Sequence, residues 1–355
     1  MTDVIERFQE AQRSLVLQSS DLSLGSIAEM VASGSIDVSP GYQRRERWNI
    51  AKESALIESF LLNIPVPPIY LAEDEYGRYS VIDGKQRVTA IFKFIRQNVR
   101  LKDLERFVQL EGFTFGDLPD PLANALSIRP YLRVVTLLNQ SDPNLKYQVF
   151  TRLNTGGDKL LPQEVRNVAF MGPLNDFIYA MSENPFLRQQ LKISTLQEKA
   201  YKEMADAEYV LRFFTMRAYW ANFHGNVNIA MNFFMDIHRN ADRAQIQEFE
   251  RIFQDTIALC ERIWNGNAFH RPDGDEHRRQ VIQGFFDVQM VPLSFIVERR
   301  INITEHHIVE IRRRFNELYR TNVRFQESIR QFTSNPDRVQ FRIGTMLESL
   351  EEIFA

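Results

Sequence analysis

Ser80-Val-Ile-Asp83-Gly84-Lys85-Gln86-Arg87-Val88-Thr-Ala-Ile-Phe-Lys-Phe-Ile-Arg96 is the stretch on which the fold turns. Tyr79 to Ile82 reads as the end of a strand, and Val88, Ile91, Phe92 and Ile95 recur at helical spacing, so Asp83 to Arg87 fill the turn between them. Gly84 lets the backbone turn with little steric penalty. The first amides of a helix have no partner inside it, which makes such a loop a natural cradle for an anion. Lys85 and Arg87 add positive charge there. Asp83 is the odd member, because a carboxylate facing a phosphate is repulsive unless a metal ion lies between them or the carboxylate acts as a base. The combination suggests nucleotide chemistry, and the competing reading is a plain Asp-Gly turn with solvated basic residues.

The upstream residues deliver this loop. Residues 3 to 14 suit a short helix and Leu15 to Gln18 a first strand. Ser23 is placed as an N-cap, with a helix over Ser26 to Ala32 that carries Ile27, Met30 and Val31 on one face before Ser33-Gly34 ends it. Ile36-Asp37-Val38 is a short strand stopping at Pro40. Gly41 to Trp48 holds two aromatics among three arginines, too polar for core, and its plain reading is a surface loop with an arginine cluster. Leu56, Ile57, Phe60 and Leu61 predict a helix over Ala51 to Asn63. Ile64-Pro65-Val66-Pro67-Pro68 breaks it and forces an extended path into a strand at Ile69-Tyr70-Leu71. Glu73 to Arg78 then makes the turn of a hairpin whose second arm, Tyr79 to Ile82, leads into the loop.

Downstream, Leu101 to Leu118 reads as a peripheral hairpin or loop, with Phe113 and Phe115 alternating as in a strand. A short helix over Leu122 to Ile128 precedes a β-branched strand from Leu132 to Leu137. A helix from Pro143 ends near Asn154-Thr155-Gly156-Gly157, and another begins after Leu161-Pro162. Beyond it only helices are expected, over residues 203–222, 229–240, 245–264, 280–298, 304–319 and 334–354. The first of these is apolar on most faces and is placed centrally. The fold class predicted is α+β: a small mixed sheet in residues 1–170, then a mainly α-helical domain in residues 171–355, with no repeat or long linker between them.

Composition narrows the function classes. With 44% apolar and 25% charged residues among 355, the chain reads as an ordinary globular protein, and 27 phenylalanines imply a large aromatic core. No apolar run approaches the roughly 20 residues of a membrane span, and the first residues lack a signal peptide's apolar region, so a cytoplasmic location and no membrane partner are expected. Cys260, the single cysteine, cannot form an internal disulfide and is expected as a small buried apolar residue. Six scattered histidines leave no zinc-type spacing. The net charge of -3 confers no general affinity for nucleic acid, so any DNA contact must be local. Arg312-Arg313-Arg314 with Arg320 and Arg324 is such a local stripe, read either as a solvated helix face or as a phosphate contact.

Four motifs in order carry a resemblance: Tyr42-Gln43-Arg44 with Trp48; Ile64-Pro65-Val66-Pro67; Asp83-Gly84-Lys85-Gln86-Arg87; and Phe150-Thr151-Arg152-Leu153-Asn154-Thr155-Gly156-Gly157. Over residues 22 to 170 the chain resembles the ParB/sulfiredoxin-like domains at the N-terminus of GmrSD-type modification-dependent restriction enzymes. Lys85 stands where that family usually has glutamine, in an Asp-Gly-Gln-Gln-Arg loop. The helical half is similar to the family's usual continuation through Asp206-x-Glu208 with Arg212, and through Asn267-Ala268-Phe269.

The resemblance implies a Mg²⁺-dependent nucleoside triphosphatase that licenses action on foreign or modified DNA. Asp83, Gln86 and Arg87 would be catalytic, and Gln43, Arg44, Gly84, Lys85, Asn154 and Gly157 would bind the nucleotide. Arg87 and Arg44 would neutralise charge on the transferred phosphoryl group, and Asp83 would hold the metal or orient water. The nuclease half of such systems is commonly an HNH domain. His224-Gly225-Asn226 and His270 with His277 are the nearest matches here, and ordinary surface or core histidines explain them better. DNA cutting would then fall either to the ParB-like domain or to a separate nuclease subunit. A non-catalytic DNA-binding or scaffold protein of the same fold is the alternative from another class.

Overall fold

The structure, a computed structural model, describes residues 4–6, 8–9, 15–38, 48–129, 131–153, 161–195, 198–273 and 276–354. It divides into two compact units, Met1–Ala169 and Phe170–Ala355.

The first unit is built on a five-stranded mixed sheet. Its strands are β1 (Leu17–Ser23), β2 (Ile36–Asp37), β3 (Ile69–Glu75), β4 (Arg78–Asp83) and β5 (Tyr131–Leu137), in the order β1-β5-β3-β4-β2. β1 pairs antiparallel with β5 and β3 antiparallel with β4, while β3–β5 and β2–β4 are parallel. Side chains alternate between the faces, as the two-residue period of a strand requires. Ile69, Leu71, Val81, Leu132 and Val134 join the larger core, and Ala72, Ile82 and Leu137 join a second one. The larger core is completed by helices α1 (Leu24–Ala32), α2 (Ile50–Leu61), α3 (Lys85–Arg96) and α4 (Asp120–Ile128), through Ile27, Ile57, Val88, Ile91 and Leu126. Helices α5 (Pro143–Leu153) and α6 (Pro162–Ala169) close the other face through Tyr147, Val149 and Val165.

Local chemistry sets the helix ends. The Ser23 hydroxyl accepts from the Ser26 amide at 3.1 Å, and the Asn49 side chain accepts from the Lys52 amide at 3.0 Å, so α1 and α2 start on side-chain caps. Leu101 to Leu118 is a loop with two 3₁₀ turns and no strand. Its anchor is Glu58, 5% exposed, whose carboxylate accepts from the backbone N–H groups of Glu105, Arg106 and Phe107 at 3.1, 2.6 and 2.8 Å. The phenylalanine alternation read as a strand instead sends Phe115 edge-on against Phe94, centroids 5.8 Å apart.

The second unit is mainly helical. α7 (Pro173–Ser182), α8 (Pro185–Gln190), α9 (Lys199–Lys202), α10 (Ala205–Tyr219), α11 (Val227–His238) and α12 (Arg243–Trp264) precede a two-stranded ribbon, β6 (His270–Asp273) and β7 (Glu276–Val281). α13 (Gln283–Glu298), α14 (Glu305–Thr321), α15 (Val323–Arg330) and α16 (Pro336–Phe354) follow. The ribbon corrects the expectation that strands end with the first domain; a polar pair of arms gave no apolar alternation to read. The expected aromatic core is present, with Phe177, Phe213, Phe214, Phe234, Phe249 and Phe253 linked by centroid distances of 4.9 to 6.2 Å. Cys260 is fully buried in α12, and burial pushes its thiol pKa up. Among the described residues no helix is long and apolar enough to cross a membrane.

Candidate functional site

β4 ends at Asp83 and α3 begins at Lys85, so the loop is one residue, Gly84, in the left-handed region at φ 93°. A Cβ there would lie 2.5 Å from Ile69 Cγ2 and 3.1 Å from Arg87 Nη2, so both the conformation and the space demand glycine. The first intrahelical bond, Val88 N–H to the Gly84 carbonyl at 2.9 Å, closes the turn. The amides of residues 85 to 87 therefore form the N-terminal turn, whose dipole favours negative charge.

Asp83 and Arg87 are brought together by this turn. Arg87 Nη2 donates to Asp83 Oδ2 at 2.9 Å, and Arg87 Nη1 donates to the Pro67 carbonyl at 2.6 Å. The arginine is the more enclosed partner, its side chain 12% exposed against 38% for Asp83. Pro67 belongs to the Ile-Pro-Val-Pro step, so two of the sequence motifs meet at one guanidinium. Gln86 Oε1 accepts from the Trp48 amide at 3.3 Å, which ties a third motif to the start of α3. Lys85 is half-buried. Gln43, Arg44, Asn154 and Gly157 lie outside the described residues.

A magnesium ion takes six oxygen ligands in near-octahedral geometry and usually keeps several waters. Asp83 offers one carboxylate, with Oδ2 engaged by Arg87, and among the described residues no three His, Cys, Asp or Glu side chains gather as a metal site. The described donors therefore do not fit a protein-held ion.

Three polar residues of the first unit were not legible as special in the sequence. Gln163, Arg166 and Asn167 on α6 are fully buried: Arg166 Nη1 donates to Gln163 Oε1 at 3.1 Å, and Gln163 Nε2 to Asn167 Oδ1 at 3.3 Å. Their i, i+3, i+4 spacing was the available signal, though it is also that of a solvated face. In the second unit Asp287 binds Arg212 through two bonds of 2.7 Å and also accepts from Arg342, all three side chains buried. Arg212 thus belongs to the core, while Asp206 lies 3.4 Å from Arg188. The three consecutive arginines on α14 are engaged within the protein: Arg312 donates to the Ile263 carbonyl, Arg313 to Glu310 and Glu317, and Arg314 to Glu310 and Glu352. Arg324 lies over the Phe341 ring at 4.0 Å. His224 is exposed and His270 buried.

No curated protein and no solved structure matches the chain. One family model does, over less than half of its length, and its description is the N-terminal domain of the GmrSD restriction endonuclease. The matched residues take in β2 to β5 and the turn that seats Arg87 on Asp83. Over residues 27–171 this chain is similar to the GmrSD restriction endonuclease N-terminal domain.

Proposed function

We propose that the Asp83–Arg87 turn binds the phosphates of a nucleoside triphosphate, supplied as its magnesium complex, and that the chain is the nucleotide-hydrolysing component of a DNA restriction or phage-defence system. The observation that carries the reading is Arg87, a guanidinium held by two anchors beside a glycine turn and a helix N-terminus. Such a group meets developing phosphoryl charge without having to reorganise first. The amides at the start of α3 would hold phosphate oxygens, and Lys85 would add charge. Gln86 would keep the loop in register with Trp48, and on the sequence motifs alone Gln43, Arg44, Asn154 and Gly157 are proposed as further nucleotide contacts. The ion, when bound with the nucleotide, would offset phosphate charge. The restriction context rests on the family match, and DNA cutting is proposed to fall to a separate nuclease subunit.

Isothermal titration with each of the four ribonucleoside triphosphates and magnesium, with phosphate release, tests the first half. Binding of at least one at submillimolar concentration and slow turnover are expected, and no binding up to millimolar concentration would sink the reading. Incubation with unmodified, glucosylated and phosphorothioated DNA tests the second. The pure protein is expected to leave plain duplex DNA uncut, and rapid metal-dependent cutting lost in Asp83→Ala would move the nuclease into this domain.

A further inference from the structure

We infer that Asp83 acts on Arg87 and not on a metal ion: with the Pro67 carbonyl it fixes the guanidinium so that the remaining N–H groups are pre-set for an anion. The inference rests on the phosphate-site reading above and gives the aspartate of that site a positioning role.

Three features of the turn support it. First, the two anchors come from different parts of the chain, the Pro67 carbonyl before β3 and the Asp83 carboxylate at the end of β4. A planar fork held on both Nη atoms loses its freedom to rotate, unlike the exposed ion pairs of long side chains. Second, the guanidinium lies against the bare α-carbon of Gly84, where a Cβ would come within 3.1 Å of Nη2. The positive φ at Gly84 and the seat of Arg87 are thus parts of one device. Third, the charges balance. A lone carboxylate beside a phosphate cradle would repel its ligand, whereas Asp83 is already neutralised by Arg87. The arginine, with five donors of which Asp83 and Pro67 engage two, retains the capacity to bind an anion. A metal role would instead ask a single carboxylate, with one oxygen engaged, to organise an octahedral ion.

The test uses the full chain and two readouts. The first is the rate at which phenylglyoxal modifies Arg87, followed by peptide mass spectrometry. Asp83→Ala is expected to raise it several-fold, with Asp83→Asn, which keeps an acceptor oxygen, between the two. An unchanged rate in Asp83→Ala would overturn the positioning role. The second is tripolyphosphate affinity in EDTA, by calorimetry. Asp83→Ala and Arg87→Lys are each expected to weaken it by about ten-fold, the size of a lost charge-assisted hydrogen bond, with the double variant no weaker than the worse single one. Equal or tighter binding by Asp83→Ala in EDTA, with loss of Mn²⁺ affinity only, would return Asp83 to the metal. If the wild-type protein binds neither tripolyphosphate nor any triphosphate, the phosphate-site reading fails, while labelling still decides whether Asp83 seats Arg87. Should Asp83→Ala melt without a transition, Asp83→Asn carries the same comparisons.

Discussion

Gly84 shows how much a single position controls. Any side chain there meets Ile69 at 2.5 Å and must adopt φ 93°, so Gly84→Ala combines backbone strain with overpacking, about 2–4 kcal/mol together. Urea denaturation is expected to show that loss along with faster labelling of Arg87. Glu58 is a second such residue, with a different chemistry. Burial would raise its pKa, but the backbone N–H groups of Phe107, Arg106 and Glu105 outweigh that and hold it below the ordinary 4.5. Its contribution is therefore fully present above about pH 4.5 and is lost as pH falls through the lowered folded value. Glu58→Ala is expected to cost about 1–3 kcal/mol at pH 7 and much less in strong acid, measured by melts across pH. The Asp-Gly-Lys-Gln-Arg turn was legible because strand and helix periods change across it. The bond from Arg87 to Asp83 was not, because i,i+4 spacing applies inside a helix, and only the turn at Gly84 lets a residue in front of the helix face its first turn.

Elements in the second unit are held by close approaches that composition does not announce. A Cβ on Gly284 would stand 2.2 Å from the Ile329 carbonyl oxygen, so α13 and the end of α15 touch through backbone. Gly284→Ala is expected to lower the melting temperature sharply, by more than a typical surface substitution, because neither backbone can give way cheaply. Asp287 on the same helix joins α10 to α16 by accepting from Arg212 and Arg342. Burial pushes its carboxyl pKa up, and the two guanidiniums more than reverse this, leaving it lowered. Removing it strands two buried cations, so Asp287→Ala is expected to cost about 3–5 kcal/mol, read by thermal or urea unfolding. The α14 arginines carry the same lesson. A run of three was read as a solvated face or a phosphate contact, yet their partners lie on the same helix, at the end of α12 and on α16.

At the scale of the whole molecule, each unit has its own core, and separate expression of residues 1–169 and 170–355 is expected to yield two cooperative melts. A broad, non-cooperative transition in either piece would show that its core is incomplete alone. The sequence by itself determined most elements of the first unit, including its hairpin and the strand, turn and helix around Gly84, because local periodicity, caps and breakers act over a few residues, while β1 runs on to Ser23 past the expected Gln18. It also carried the resemblance to the GmrSD N-terminal domain, since four short motifs kept their order. What only the tertiary structure decided are strand order, polar burial and the contacts that complete them. These are the mixed strand order β1-β5-β3-β4-β2, the polar ribbon β6–β7, the buried Gln163–Arg166–Asn167 face, the Arg212–Asp287–Arg342 cluster and the meeting of Pro67 with Arg87. The strand order, the Asp287 cluster and the Pro67–Arg87 bond join residues far apart in the sequence, and a polar residue becomes core only when the surrounding segments exclude water and its hydrogen bonds are satisfied.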